Sequence, residues 1–127
     1  MSVRAVPPAA VALPGNYLHA CLLLLLSESP DHGYDLAERL AGLGLTEVDT
    51  GTVYRALRRL REEGLVESEW EESAAGPARR RYWVTAAGDG ALEASSTAVA
   101  ATSLALRSFL ERKRRLGVPA VPVAANG

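Results

Sequence analysis

The sequence predicts a mostly α-helical fold with a small β-hairpin and a long C-terminal helix. Three observations carry this. Apolar residues recur at helical spacing in three segments before residue 64. The period switches from 3.6 to 2 immediately after Gly64. A long alanine-rich run without proline then occupies residues 86–116. At 127 residues the chain reads as one domain with an appended element.

Residues 1–15 are rich in proline and alanine and lack periodicity, so we expect a flexible N-terminal arm. Asn16 can cap a first helix over roughly 16–28. Its five consecutive leucines, 22–26, imply burial nearly all round and make it the central core helix. Ser29-Pro30-Asp31-His32-Gly33 reads as a turn. A second helix is expected from Tyr34 to Leu43, with Leu36, Leu40 and Leu43 inward and Asp35, Glu38 and Arg39 facing water. The third runs from about Thr50 to Gly64. Val53, Leu57 and Leu60 share its buried face, arginines cover the remainder, and Gly64 stops it.

Val66, Ser68 and Trp70 alternate with Glu67, Glu69 and Glu71, as in a half-buried strand. A small-residue tip, 73–77, leads to a second strand over 79–85 with Tyr82 and Val84 on one face. A helix–turn–helix followed by a hairpin is the winged helix-turn-helix arrangement, which we assign to residues 16–85. In the helix over 86–116, Leu92, Val99 and Leu106 lie seven apart, and Phe109 and Leu110 extend the stripe. So small a domain cannot bury such a seam, so we expect a dimerisation helix. Small polar residues in the seam argue against a strong two-stranded coiled coil. Residues 117–127, with two prolines, read as a flexible tail.

Net charge is −1, so bulk electrostatics give no argument for nucleic acid. Distribution is more informative. Seven of fourteen basic residues fall within 55–61 and 79–81. Thr50 and Thr52 can donate to phosphate oxygens at the positive end of the third helix, and Gly51 permits close backbone approach. Tyr54 reaches a phosphate or a base edge. Arg55 is best placed for a bidentate contact to guanine. Arg58 and Arg59 suit phosphates, against the alternative of i,i+4 pairing with Glu62 and Glu63. Arg61 reads as mainly solvated. Alternate residues of a strand point opposite ways, so Arg79, Arg80 and Arg81 cannot all serve one surface, and we favour Arg79 and Arg80 for backbone or minor-groove contact.

Other residues suggest less. Trp70 and Trp83 read as core or interface aromatics. His19 and His32 stand isolated, without a metal-ligand constellation. Cys21, the only cysteine, lies in an apolar run and reads as a buried, inert thiol. No phosphate loop, Ser/His/Asp context or HExxH is present, so an enzyme is the least supported class. No cofactor or metal is expected. No secretory signal or membrane-length apolar run appears, which makes the cytoplasm the expected compartment.

In Gly33-Tyr34-Asp35-Leu36, Thr50-Gly51-Thr52-Val53-Tyr54-Arg55-Ala56-Leu57-Arg58-Arg59-Leu60, Glu62-Glu63-Gly64-Leu65-Val66 and Gly76 through Thr85 with Gly88, the sequence resembles the PadR family of bacterial winged-helix transcriptional regulators. The likeness covers roughly residues 16–95 in order and register. It implies a homodimer placing two recognition helices in successive major grooves of a palindromic operator, usually for repression. It puts the DNA contacts on Thr50, Thr52, Tyr54 and the hairpin arginines. The family often has proline where this chain has Arg55. The single C-terminal helix looks like the smaller subfamily, some of whose members bind flat aromatic drugs between tryptophans on that helix. This chain has no aromatic residue between Trp83 and Phe109.

The expected function is therefore a homodimeric, sequence-specific DNA-binding repressor. An effector-gated version would use a small-molecule pocket formed by Tyr17, His19, Leu22, Val99 and Ser103. A winged-helix protein–protein adaptor without DNA binding is the alternative from another class.

Overall fold

The computed structural model describes residues 17–117. The expected arm, the Asn16 cap and all of the expected tail except Gly117 lie outside the described residues. The elements in order are α1 (Tyr17–Glu28), β1 (Asp31–His32), α2 (Gly33–Arg39) with a 3-10 turn (Leu40–Leu43), α3 (Thr50–Glu62), β2 (Val66–Ser73), β3 (Gly76–Val84) and α4 (Ala86–Arg114). The chain divides into two units. One spans Asn16–Ser96, and the other includes the described residues from Thr97 onward.

The first unit is built on the leucine run of α1. Cys21, Leu22, Leu23, Leu25 and Leu26 are buried there with Leu36 of α2, Leu40, and Val53, Ala56, Leu57 and Leu60 of α3. Val66 and Tyr82 close this core from the sheet. No charged residue is buried among the described residues. Cys21 is a free, buried thiol, and burial raises its pKa. Tyr17 donates from its hydroxyl to the Leu43 carbonyl at 2.8 Å, tying the start of α1 to the end of the 3-10 turn.

Both helical segments of the helix–turn–helix end on glycine. Gly44 has φ +91° and Gly64 has φ +77°. Leu45 N–H reaches the Leu40 carbonyl at 3.2 Å, and Leu65 N–H reaches that of Leu60 at 2.9 Å. Each is the long hydrogen bond of a Schellman cap, which satisfies carbonyls that a helix end leaves open.

The sheet is antiparallel with strand order β1-β3-β2. Its third strand corrects the expected plain turn at 29–33: Asp31 pairs with Tyr82 and His32 with Arg81. Two residues are too few to show alternation in a sequence. Val66 faces Val84, Ser68 faces Tyr82, Trp70 faces Arg80 and Glu71 faces Arg79. Side chains of paired residues share a sheet face. One face therefore carries Val66, Ser68, Trp70, Arg80, Tyr82 and Val84 and packs inward where it meets the helices. The other carries Glu67, Glu69, Glu71, Arg79, Arg81 and Trp83.

Two further expectations change. Arg39 does not simply face water. Its Nη1 donates to Asp31 Oδ2 at 2.9 Å, and its Nη2 donates to the Leu25 carbonyl at 2.9 Å. Trp70 is not in the core of this chain. It is 64% exposed, because the hairpin extends past the helices before reaching it. Trp83 is half-buried.

Thr85 starts α4. Its hydroxyl donates to the Gly64 carbonyl at 2.7 Å and accepts from Gly88 N–H at 3.1 Å. Gly88 is buried, and a Cβ there would overlap the Leu65 carbonyl oxygen. Ala91 and Leu92 pack on the core of this unit. Leu92, expected in a dimer seam, thus has a place within its own chain. In the second unit Leu104 is 66% exposed and Phe109 68%, and Leu106 and Leu110 are also exposed.

Candidate nucleic-acid interface

The helix α3 begins with a side-chain cap. Asp49 Oδ1 accepts from Thr52 N–H at 2.7 Å. That hydrogen bond holds the Asp49 carboxyl below the usual aspartate range, with the Arg55 charge adding to it. The positive end of this helix is therefore not wholly open to a phosphate, because the protein's own carboxylate already occupies the Thr52 N–H.

With Val53, Ala56, Leu57 and Leu60 buried, the exposed surface of α3 falls into two flanks. Thr52, Arg55 and Arg59 follow one line at i, i+3 and i+7. Tyr54, Arg58 and Arg61 follow the other at i, i+4 and i+7. Gly51 is exposed between them and Thr50 is half-buried.

On the first flank, Arg55 Nη2 donates to Thr52 Oγ1 at 3.1 Å. A Cβ on Gly51 would lie 3.5 Å from Arg55 Nη1 and 3.6 Å from Asp49 Oδ1. The guanidinium is thus folded back over the first turn, beside the capping carboxylate. Arg59 donates from Nε to Glu63 Oε2 at 3.1 Å, so the intrahelical pairing forms for Arg59.

The second flank faces the sheet. Tyr54 is 43% exposed, yet its ring lies against buried Gly33, where a Cβ would overlap Tyr54 Cε1. Arg58 and Arg61 form no ion pair among the described residues. Burial raises the pKa of the Tyr82 hydroxyl, while the nearby charges of Arg80, Arg61 and Arg58 oppose that rise. The charges of all three arginines are thus felt at one buried tyrosine. Arg61 is exposed, as expected of a mainly solvated residue, and lies on the same line of the helix as Tyr54 and Arg58.

The hairpin separates its arginines. Arg80 lies on the face of Tyr82, with Nη1 donating to Ser68 Oγ at 2.8 Å and Cζ 4.6 Å from the Trp70 ring centroid. Arg79 pairs in register with Glu71, on the opposite face. The structure does not bring Arg79 and Arg80 to one surface. His32 lies on the Arg79 side and is not isolated. Its Nε2 is 2.7 Å from Glu71 Oε1, and its Nδ1 is 3.7 Å from Asp31 and 3.8 Å from Asp35.

Of the residues expected to line an effector pocket, Leu22 has no exposed surface, because it packs at the centre of the core. Tyr17 and His19 are half-buried on α1. Val99 and Ser103 belong to the other unit. No helix among the described residues is long and apolar enough to cross a membrane.

The transcriptional regulator PadR-like family model matches residues 22–94. A PadR-like transcriptional regulator from Bacillus cereus is 30% identical with a TM-score of 0.67, covering 76% of this chain and 93% of that one. A PadR family regulator from Eggerthella lenta is 28% identical with a TM-score of 0.60, covering 75% of this chain and 87% of that one. Bacillus subtilis PadR, solved in complex with operator DNA, is 23% identical with a TM-score of 0.57, covering 63% of this chain and 46% of that one, a likeness of fold alone. No curated protein matches the chain. The matched span takes in the helix–turn–helix, the hairpin and the start of α4, and the chain belongs to the PadR-like family of transcriptional regulators.

Proposed function

We propose that this regulator is a homodimeric repressor that binds a palindromic DNA operator through α3 and the hairpin. The observation that carries this is a set of arginines with no ion-pair partner among the described residues: exposed Arg58 and Arg61 on one line of α3, and half-buried Arg80 on the Tyr82 face of the hairpin. Two elements distant in sequence contribute these cations, although the whole chain is slightly acidic. A B-DNA backbone favours such cations by counterion release. A relative of the same fold has been solved with operator DNA, which agrees with this reading.

The division of labour follows the two flanks of α3. Thr50, Gly51, Thr52 and Arg55 form the base-reading edge, with the Arg55 guanidinium held against it by Thr52. Tyr54, Arg58 and Arg61 hold the phosphate backbone, together with Arg80. Arg59 contributes little net charge, being paired with Glu63. Arg79 serves a different strand of the backbone or none. The second copy joins through α4, whose exposed Leu106, Phe109 and Leu110 need cover, with Val99 on the same helix and Leu92 shared with the core. Repression follows from occupancy of the operator, and the compartment is the cytoplasm.

The test is selection of duplexes from a random pool, followed by salt titration of the winner. The expected result is an inverted repeat with half-sites about one helical turn apart. Affinity should fall steeply as salt rises. Binding that ignores salt, or no selected duplex, would favour a protein–protein adaptor instead.

A further inference from the structure

The outer half of the hairpin holds a large aromatic side chain that the core does not use. Trp70 is 64% exposed, but one face of its ring is covered by the guanidinium of Arg80, 4.6 Å from the centroid. The same guanidinium donates to Ser68 Oγ at 2.8 Å. Trp70 stands directly across from Arg80 in the β2–β3 ladder, and Ser68 lies two residues back on the same face. The ring fixes the plane of the guanidinium, and the hydroxyl fixes its rotation within that plane.

What is missing from this arrangement matters as much. Arg80 has no carboxylate partner among the described residues. Glu67, Glu69 and Glu71 alternate onto the other sheet face, where Glu71 meets His32. Of the five N–H donors of a guanidinium, Ser68 takes one. An arginine held by an aromatic face and a neutral hydroxyl keeps its full charge and an open donor edge. A structural ion pair would have used both.

We propose that Trp70 and Ser68 are positioning residues that preset Arg80 to grip a phosphate of the DNA duplex. This rests on the DNA-binding reading above and specifies how the hairpin carries its share. A long arginine side chain loses rotamer freedom when it is immobilised on a partner. Stacking on Trp70 removes much of that freedom before DNA arrives. The cost of ordering the hairpin cation thus falls in folding and not in binding.

The experiment is a salt titration of duplex binding, on the duplex selected by the wild-type protein, for wild type, Trp70→Ala, Trp70→Phe and Arg80→Ala. Thermal melts confirm that each variant is folded. Arg80→Ala should weaken binding and lower the slope of log affinity against log salt by about 1, since one phosphate contact is gone. Trp70→Ala should weaken binding roughly two- to fivefold, the worth of an exposed cation–π contact, with the slope unchanged because the charge remains. Trp70→Phe should restore most of the loss. Trp70→Ala binding as tightly as wild type overturns the clamp alone. So does a loss that Trp70→Phe fails to restore, since the indole itself would then be the contact. A wild-type protein that selects no duplex overturns the DNA reading and the clamp together.

Discussion

The ring of Tyr54 lies against the backbone of Gly33, so that helix α3 is seated on the first residue of α2 through an aromatic–glycine contact. Gly33 has no side chain, and its place in the core is filled by a residue that is itself 43% exposed. Tyr54 therefore belongs both to the packing and to the proposed DNA surface. Gly33→Ala should cost about 1–3 kcal/mol by overpacking, and Tyr54→Ala added to it should recover part of that loss. Chemical denaturation of the two single variants and the double variant measures the coupling. Additive losses would mean that the ring yields freely.

Gly88 poses the same question against a stiffer neighbour. A Cβ there overlaps the carbonyl oxygen of Leu65, which is backbone, and comes within 2.8 Å of Val84 Cγ1. Neither can swing aside as a tyrosine ring can. Gly88→Ala should fall at the upper end of overpacking costs, about 3 kcal/mol, and exceed Gly33→Ala in the same denaturation assay.

Capping by Asp49 makes stability depend on acid in a defined direction. The Thr52 N–H holds its carboxyl below the usual range, so the folded pKa lies under the unfolded one. The stabilisation is full above the unfolded value of about 3.9 and is lost as pH falls through the folded value. Asp49→Asn can still accept the Thr52 hydrogen bond, but without the charge. Wild type should therefore melt higher than Asp49→Asn at neutral pH, and the gap should close below about pH 4. A constant gap across that range would remove the ionised cap from the account.

The two flanks of α3 should separate in binding measurements. Arg58→Ala and Arg61→Ala are each expected to lower the salt slope by about 1 while leaving base preference alone. Arg55→Ala should relax preference at one position of each half-site, where a bidentate contact discriminates by about 1–3 kcal/mol. Arg59→Ala should change least. Repeating the duplex selection with each variant distinguishes these outcomes.

For α4, the expectation concerns assembly. Leu104 and Phe109 are largely exposed along one helix. Burying a phenylalanine stabilises by about 1.5–3 kcal/mol, and a twofold interface counts each residue twice. Phe109→Glu should therefore weaken self-association about a hundredfold or more. Sedimentation velocity across a concentration series measures it, and an unchanged profile would move the interface elsewhere.

Much of this fold was legible because its signals are long or repeated. Five leucines in a row implied burial nearly all round, and the change of period after Gly64 marked the hairpin. The Gly64 stop appeared where an αL cap requires it. The rest failed where register or length governs. β1 is two residues long, shorter than any alternation. Arg79 and Arg80 looked equivalent until pairing with Glu71 and Trp70 put them on opposite faces. Trp70 has the composition of a core residue, but the hairpin outruns the helices that would cover it. His32 gains Glu71 from 39 positions away, a contact no local pattern contains.

The β1–β3 pairing has a consequence for the proposed DNA complex. Asp31 and His32 bind the inner half of β3 to the start of α2, and the Glu71 contact adds a second fastening further out. The hairpin is thus stitched to the same segment on which Tyr54 seats α3. In the proposed complex, the distance between α3 and the hairpin cation is set by covalent neighbours and a strand ladder, like the fixed jaws of a gauge. Such a reader tolerates an altered base better than an inserted one: a base change removes one contact, whereas an extra base pair between the two contact points puts every contact on one side out of reach.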